Sequence, residues 1–136
     1  MENCIFCKII NKQIPSSVVY EDDDVIAFLD ISQATKGHTL VLSKKHYSNL
    51  LEIDEEVLAK IIKVAKTIAS SMVKSLGAQG VNLVNNCNEV AGQSVMHFHL
   101  HIIPRYNHEE FVIGPKETNN FDLKEIQEQI KNGLAK

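Results

Sequence analysis

The segment His97-Phe98-His99-Leu100-His101-Ile102-Ile103 alternates histidine with apolar residues and sets the first constraint on this chain. Successive side chains of a β-strand point to opposite faces, so the pattern predicts a strand with two unlike rows. Phe98, Leu100 and Ile102 form a row that needs a core. His97, His99 and His101 form the other row, spaced roughly 6–7 Å apart by the rise of a strand. One histidine there would suit a half-exposed strand; three in register mark a site. Two chemistries fit: a metal centre, because imidazole suits zinc, and nucleophilic catalysis by a neutral imidazole.

The remaining chain offers a sheet and a helix to cover it. Val18 to Tyr20, Val25 to Leu29, Gly37 to Ser43 and Gly80 to Asn86 read as further strands, and Glu21 to Asp24 as a solvated acidic turn. Asp54 to Leu76 reads as a long helix. Its apolar residues, Val57, Leu58, Ile61, Ala65, Ile68, Met72 and Leu76 among them, recur three and four apart and make one broad face. Asp54 is expected to cap its start, and Gly77 to close its end. Cys4 to Asn11 reads as a short helix stopped before Pro15. An irregular stretch runs from Asn107 to about Phe121. A terminal amphipathic helix follows, carrying Leu123, Ile126, Ile130 and Leu134, with Asp122 and Glu125 at capping-box spacing.

The 136 residues suggest one domain, 1–136, long enough to bury a core. The net charge of −3 disfavours a grip on long nucleic acid but leaves room for a single nucleotide. There is no signal-peptide pattern and no apolar run near the roughly 20 residues needed to cross a bilayer, so no membrane partner is expected. Three cysteines, an odd number, fit reduced thiols in a cytoplasmic protein.

Several polar groups are candidates for a site. Cys4 and Cys7 have the spacing that lets two thiolates reach one metal or serve dithiol redox chemistry. Asp30 ends a strand, where it can cap a turn or hold ribose hydroxyls. His46 is a surface residue or a metal ligand. The loop Ala91-Gly92-Gln93-Ser94 is no P-loop, yet its free N–H groups, amide and hydroxyl can cradle one phosphate.

The triad pattern, preceded by Gly92-Gln93-Ser94, resembles the histidine triad (HIT) family. The likeness extends over Ile5-Phe6, Ile9-Ile10, Ile14-Pro15, Phe28 to Ser32, Gly37-His38, Lys45-His46 and Asn85, in order from about Cys4 to Arg105. Within the family the chain is similar to the Hint-type branch and to zinc-containing bacterial Hit proteins.

The resemblance implies an α+β fold with a five-stranded antiparallel sheet that continues across a homodimer. Residues 107–136 are the part in which relatives differ most. It also implies an enzyme acting at the α-phosphate of a purine nucleotide or nucleoside phosphoramidate. His99 would be the nucleophile, His101 and His38 its partners, and Asn85, Gln93 and Ser94 the phosphate contacts. Asp30 would hold the ribose; Phe6, Ile9, Ile14, Phe28 and Ile31 would line the base pocket. Cys4, Cys7, His46 and His97 would hold a structural zinc, with no cofactor needed for the chemical step. The product would be a nucleoside monophosphate, released through a covalent nucleotidyl-histidine. A dinucleoside polyphosphate hydrolase, a nucleotide-binding module with vestigial catalysis, and a zinc hydrolase with its metal on the triad stay open as alternatives.

Overall fold

The computed structural model describes residues 3–108, 114 and 120–134. The chain starts with helix α1 (Ile5–Ile10), then β1 (Val18–Glu21), β2 (Val25–Leu29) and β3 (Thr39–Ser43). Helix α2 (Glu55–Leu76), β4 (Gly80–Val84), a 3-10 turn at Glu89–Ala91, β5 (His99–Arg105) and α3 (Leu123–Leu134) complete it. The five strands form one antiparallel sheet in the order β1-β2-β3-β5-β4. The expected α+β architecture, with its five-stranded sheet and one long helix, is what the chain adopts.

The period of two sorts the sheet into two faces. Val25, Ala27, Val41, Phe98, Leu100 and Ile102 pack under α2, which contributes Ile61, Val64, Ala65 and Met72. On the opposite face Ile26, Phe28, Leu40 and Leu42 pack against Phe6 and Ile9 of α1. His99 lies opposite Leu42 and His101 opposite Leu40 in the β3–β5 register, which places both imidazoles on the α1 face. The long helix therefore supports the sheet, while the short one shares its face with the histidines.

Three local expectations change. The histidine strand begins at His99, and His97 lies in the bend before it. Asp54 occupies the N-cap of α2 without a side-chain cap bond, although Gly77 closes the helix at φ 76°. β4 stops at Val84, so Asn85 and Asn86 belong to the following loop. Asp122 does cap α3, its Oδ1 accepting the N–H groups of Lys124 and Glu125 at 3.1 and 3.3 Å. Leu123, Ile130 and Leu134 of α3 are exposed. The irregular stretch expected between Asn107 and Phe121 lies mostly outside the described residues.

Candidate functional site

Two clusters of polar side chains occupy the α1 face, and Phe6 stands between them. The first gathers Cys4, Cys7, His46 and His97, whose ligand atoms all lie within 4.8 Å of one another. Cys4 is the N-cap of α1 and its Sγ accepts the Cys7 N–H at 3.3 Å. His97 donates Nε2–H to the Ser43 carbonyl at 2.7 Å, which leaves Nδ1 as a lone pair facing the sulfurs. His97 Nδ1 is 3.4 Å from Cys4 Sγ and 3.5 Å from Cys7 Sγ; His46 Nδ1 is 3.4 Å from Cys7 Sγ. Typical zinc bond lengths give a tetrahedral N···S edge of about 3.6 Å, so the donors stand where a four-coordinate ion needs them. Burial pushes the His97 imidazole down to about 4 and, with Cys4 alongside, the Cys7 thiol up to about 11.

The second cluster holds His99, His101, His38 and Asp30. His99 is buried and donates Nδ1–H to the His97 carbonyl at 2.7 Å. That bond fixes the tautomer and leaves Nε2 with a lone pair and no partner among the described residues. His101 Nδ1 lies 2.9 Å from His38 Nε2, and the His99 and His101 ring centroids are 5.0 Å apart. Burial lowers the pKa of His99 and His38, and takes that of His101 to about 4 with the added effect of neighbouring imidazole charge. Neutral imidazoles are thus the resting form near pH 7. Among the described residues the groups suited to a metal are the sulfur–nitrogen cluster and Asp30 with His38 and His101, and His99 belongs to neither. The triad does not converge on a single ion.

A cavity of about 310 Å³ opens beside His99 and His101. Phe6, Ile9, Ile14, Phe28, Asp30 and Ile31 all line it. Ile5, Leu40 and Val95 line it too, and were not expected in the base pocket. Ile5 is half exposed at the first turn of α1, where the pattern of apolar spacing carried no signal for it. Asp30 caps the turn at the strand end, its Oδ1 accepting the Ser32 N–H at 2.8 Å, and it also lines the cavity.

The three expected phosphate contacts divide. Ser94 lines the cavity. Gln93 is placed otherwise, because its amide is spent on main-chain groups. Its Oε1 accepts the Asn88 N–H at 2.8 Å, and its Nε2 donates to the carbonyls of Ser48 and Val95. The Gln93 side chain therefore braces the loop. Asn85 donates to the His99 carbonyl at 2.9 Å, and its Oδ1 is buried without a partner among the described residues.

A HIT domain family model matches residues 11–108. The chain belongs to the HIT family. It is 52% identical over 129 residues to an uncharacterised HIT-like protein of Methanocaldococcus jannaschii, covering 94% of this chain and 98% of that one. The adenylylsulfatase HINT3 of Arabidopsis thaliana is 39% identical over 103 residues, 76% of this HIT protein and 52% of the plant protein. A HIT family protein from Bacillus anthracis superimposes with a TM-score of 0.88 at 44% identity, over 98% and 96% of the two chains. A zinc-bound histidine triad family protein from Mycobacterium smegmatis gives 0.78 at 32% identity, over 98% and 94%. A HIT family hydrolase from Legionella pneumophila gives 0.67 at 38%, over 74% and 91%. Among the described residues no helix is long and apolar enough to cross a membrane.

Proposed function

We propose that this HIT protein is a nucleotidyl hydrolase that cleaves at the α-phosphate of a purine nucleotide or nucleoside phosphoramidate through His99. One observation carries the reading: His99 Nδ1–H is tied to the His97 carbonyl at 2.7 Å, so the lone pair on Nε2 is the ring's reactive position. An imidazole fixed in that tautomer is a nucleophile already oriented. The cavity beside it has an apolar wall for a base and the Asp30 carboxylate for ribose hydroxyls. His99 Nε2 forms a bond to phosphorus as the bond to the leaving group breaks, and His101 and Ser94 donate to the phosphoryl oxygens. Water then cleaves the nucleotidyl-histidine, releasing the monophosphate and restoring the imidazole. The kinship with an adenylylsulfatase and with a HIT family hydrolase supports the reaction class.

Zinc fits the first cluster as a structural ion. Cys4, Cys7, His46 and His97 supply two thiolates and two imidazoles, a closed set with no position left for a reacting water. Such an ion would pin α1 to the bend before β5. A homodimer fits the edge strand β4, whose Gly80-Val81-Asn82-Leu83-Val84 has neither charge nor proline to block pairing with a second copy. A ten-stranded sheet would result, and sedimentation equilibrium tests whether the dimer forms.

The deciding experiment is a rapid-quench reaction with adenosine 5′-phosphoramidate followed by peptide mass spectrometry. An adenylate on the peptide containing His99, decaying as AMP appears, is the expected result, with His99→Ala folded but inactive. Turnover retained in His99→Ala would sink the mechanism. Bound nucleotide with neither adduct nor AMP would favour a binding module instead.

A further inference from the structure

The carboxylate of Asp30 has a face that ribose binding does not use up. Its Oδ1 is oriented by the Ser32 N–H, and its Oδ2 lies 3.6 Å from His38 Nε2. That nitrogen is also 2.9 Å from His101 Nδ1, so one carboxylate and two imidazoles converge. Their spacing would suit a cation, but the protons decide otherwise. The Ala34 N–H points at His38 Nδ1 from 3.1 Å, so this nitrogen carries a lone pair. The neutral ring then holds its proton on Nε2, where a metal would need a second lone pair. That proton is donated to His101 Nδ1, and His101 is left to donate from its own Nε2. The cluster is built to hold a proton in a defined place.

We propose that Asp30 is a positioning residue for the His38–His101 pair in addition to an anchor for ribose. The proposal rests on the nucleotidyl hydrolase reading above and links the nucleoside end of the site to the end where the leaving group departs. Both rings are buried, which opposes positive charge on them, and the Asp30 carboxylate is a charge that favours it on each. The charge of the carboxylate stabilises a proton shared by the His38–His101 pair against the cost of burial, and a pair that carries that proton donates more strongly from His101 Nε2 as charge develops on the substrate. A side-chain amide at position 30 keeps the shape and the Ser32 acceptor but removes the charge.

The test crosses a variant with a substrate. Adenosine 5′-phosphoramidate and its 2′,3′-dideoxy analogue are each turned over by the wild type and by Asp30→Asn. A pure ribose anchor has nothing to lose on the dideoxy analogue, and unchanged kcat there would overturn the proposal. The expected result is a fall in kcat on the analogue of about tenfold, with KM little moved. A second measurement needs no variant and no turnover. In the ring ¹⁵N spectrum of the wild type, adenosine should move the His38 Nε2 resonance further than 2′,3′-dideoxyadenosine does; equal movement would overturn the coupling. Absence of AMP from every reaction would remove the hydrolase reading while this spectrum still judged the link between Asp30 and His38.

Discussion

The ring of Phe6 stands edge-on to that of His99, with centroids 5.0 Å apart and planes at 85°, and lies 6.1 Å from the ring of His97. One side chain of α1 therefore touches the proposed nucleophile and a member of the sulfur–nitrogen cluster. Six residues are too few to hold a helix in water, so α1 exists through its packing and its cysteines.

Truncating Phe6 should cost on both counts. Phe6 is buried, and Phe6→Ala should destabilise the fold by about 3–5 kcal/mol in urea unfolding while raising KM for the nucleotide. A stability loss under about 1 kcal/mol would mean that α1 does not depend on this anchor.

Metal should act on stability before it acts on chemistry. If zinc binds the native cluster alone, each tenfold rise in free zinc above Kd adds about 1.4 kcal/mol. Tm measured in zinc buffers should climb accordingly in the wild type and stay flat in Cys7→Ser. Identical melting at low and high buffered zinc would exclude a structural ion.

Acid should destabilise this protein through His101. Burial, reinforced by His99 and His38, takes its imidazole down to about 4 in the fold, against about 6.5 when unfolded. Between those values the unfolded chain binds a proton that the native chain refuses, so stability rises with pH. The contribution is complete above the unfolded pKa and is lost as pH falls towards the folded one. Scanning fluorimetry should show Tm rising up to about pH 6.5 and levelling beyond it, with a shallower rise in His101→Asn. Parallel curves for the two proteins would assign the slope to other groups.

The turn that delivers His38 should not tolerate a side chain at Gly37. Its φ of +100° is disfavoured for other residues, and an added Cβ would meet Leu76 Cδ1 at 2.7 Å. Gly37→Ala should cost about 1–3 kcal/mol in chemical unfolding. A neutral substitution would show that the turn relaxes freely.

The periodic parts of the chain were legible because burial imposes their period. Val57 to Met72 at helical spacing became the buried face of α2, and the alternation from Phe98 to Ile102 put the apolar row under it. His97 was misplaced because the same alternation runs two residues past the strand. Its ring is recruited by Cys4 and Cys7, about ninety positions away in sequence, and no local pattern encodes that distance. Gln93 meets a similar difficulty. A polar residue before the triad looks the same whether its amide meets a ligand or braces three main-chain groups. Asp54 has the composition of a cap but not its hydrogen bond, since the side chain can choose water instead.

The separation between Cys4 and His97 also bears on the order in which the molecule is assembled. Phe6 and Ile9 close against β2 and β3, and the Cys4 thiol meets a residue 93 positions further on. During synthesis Cys4 emerges well before His97 exists. The partner of the Cys4 thiol arrives only with the segment that leads into β5, the strand inserted between β3 and β4. The Cys4–His97 contact can therefore form only after that segment has been made, and the wall of the cavity beside His99 is completed only when the sheet behind it is whole.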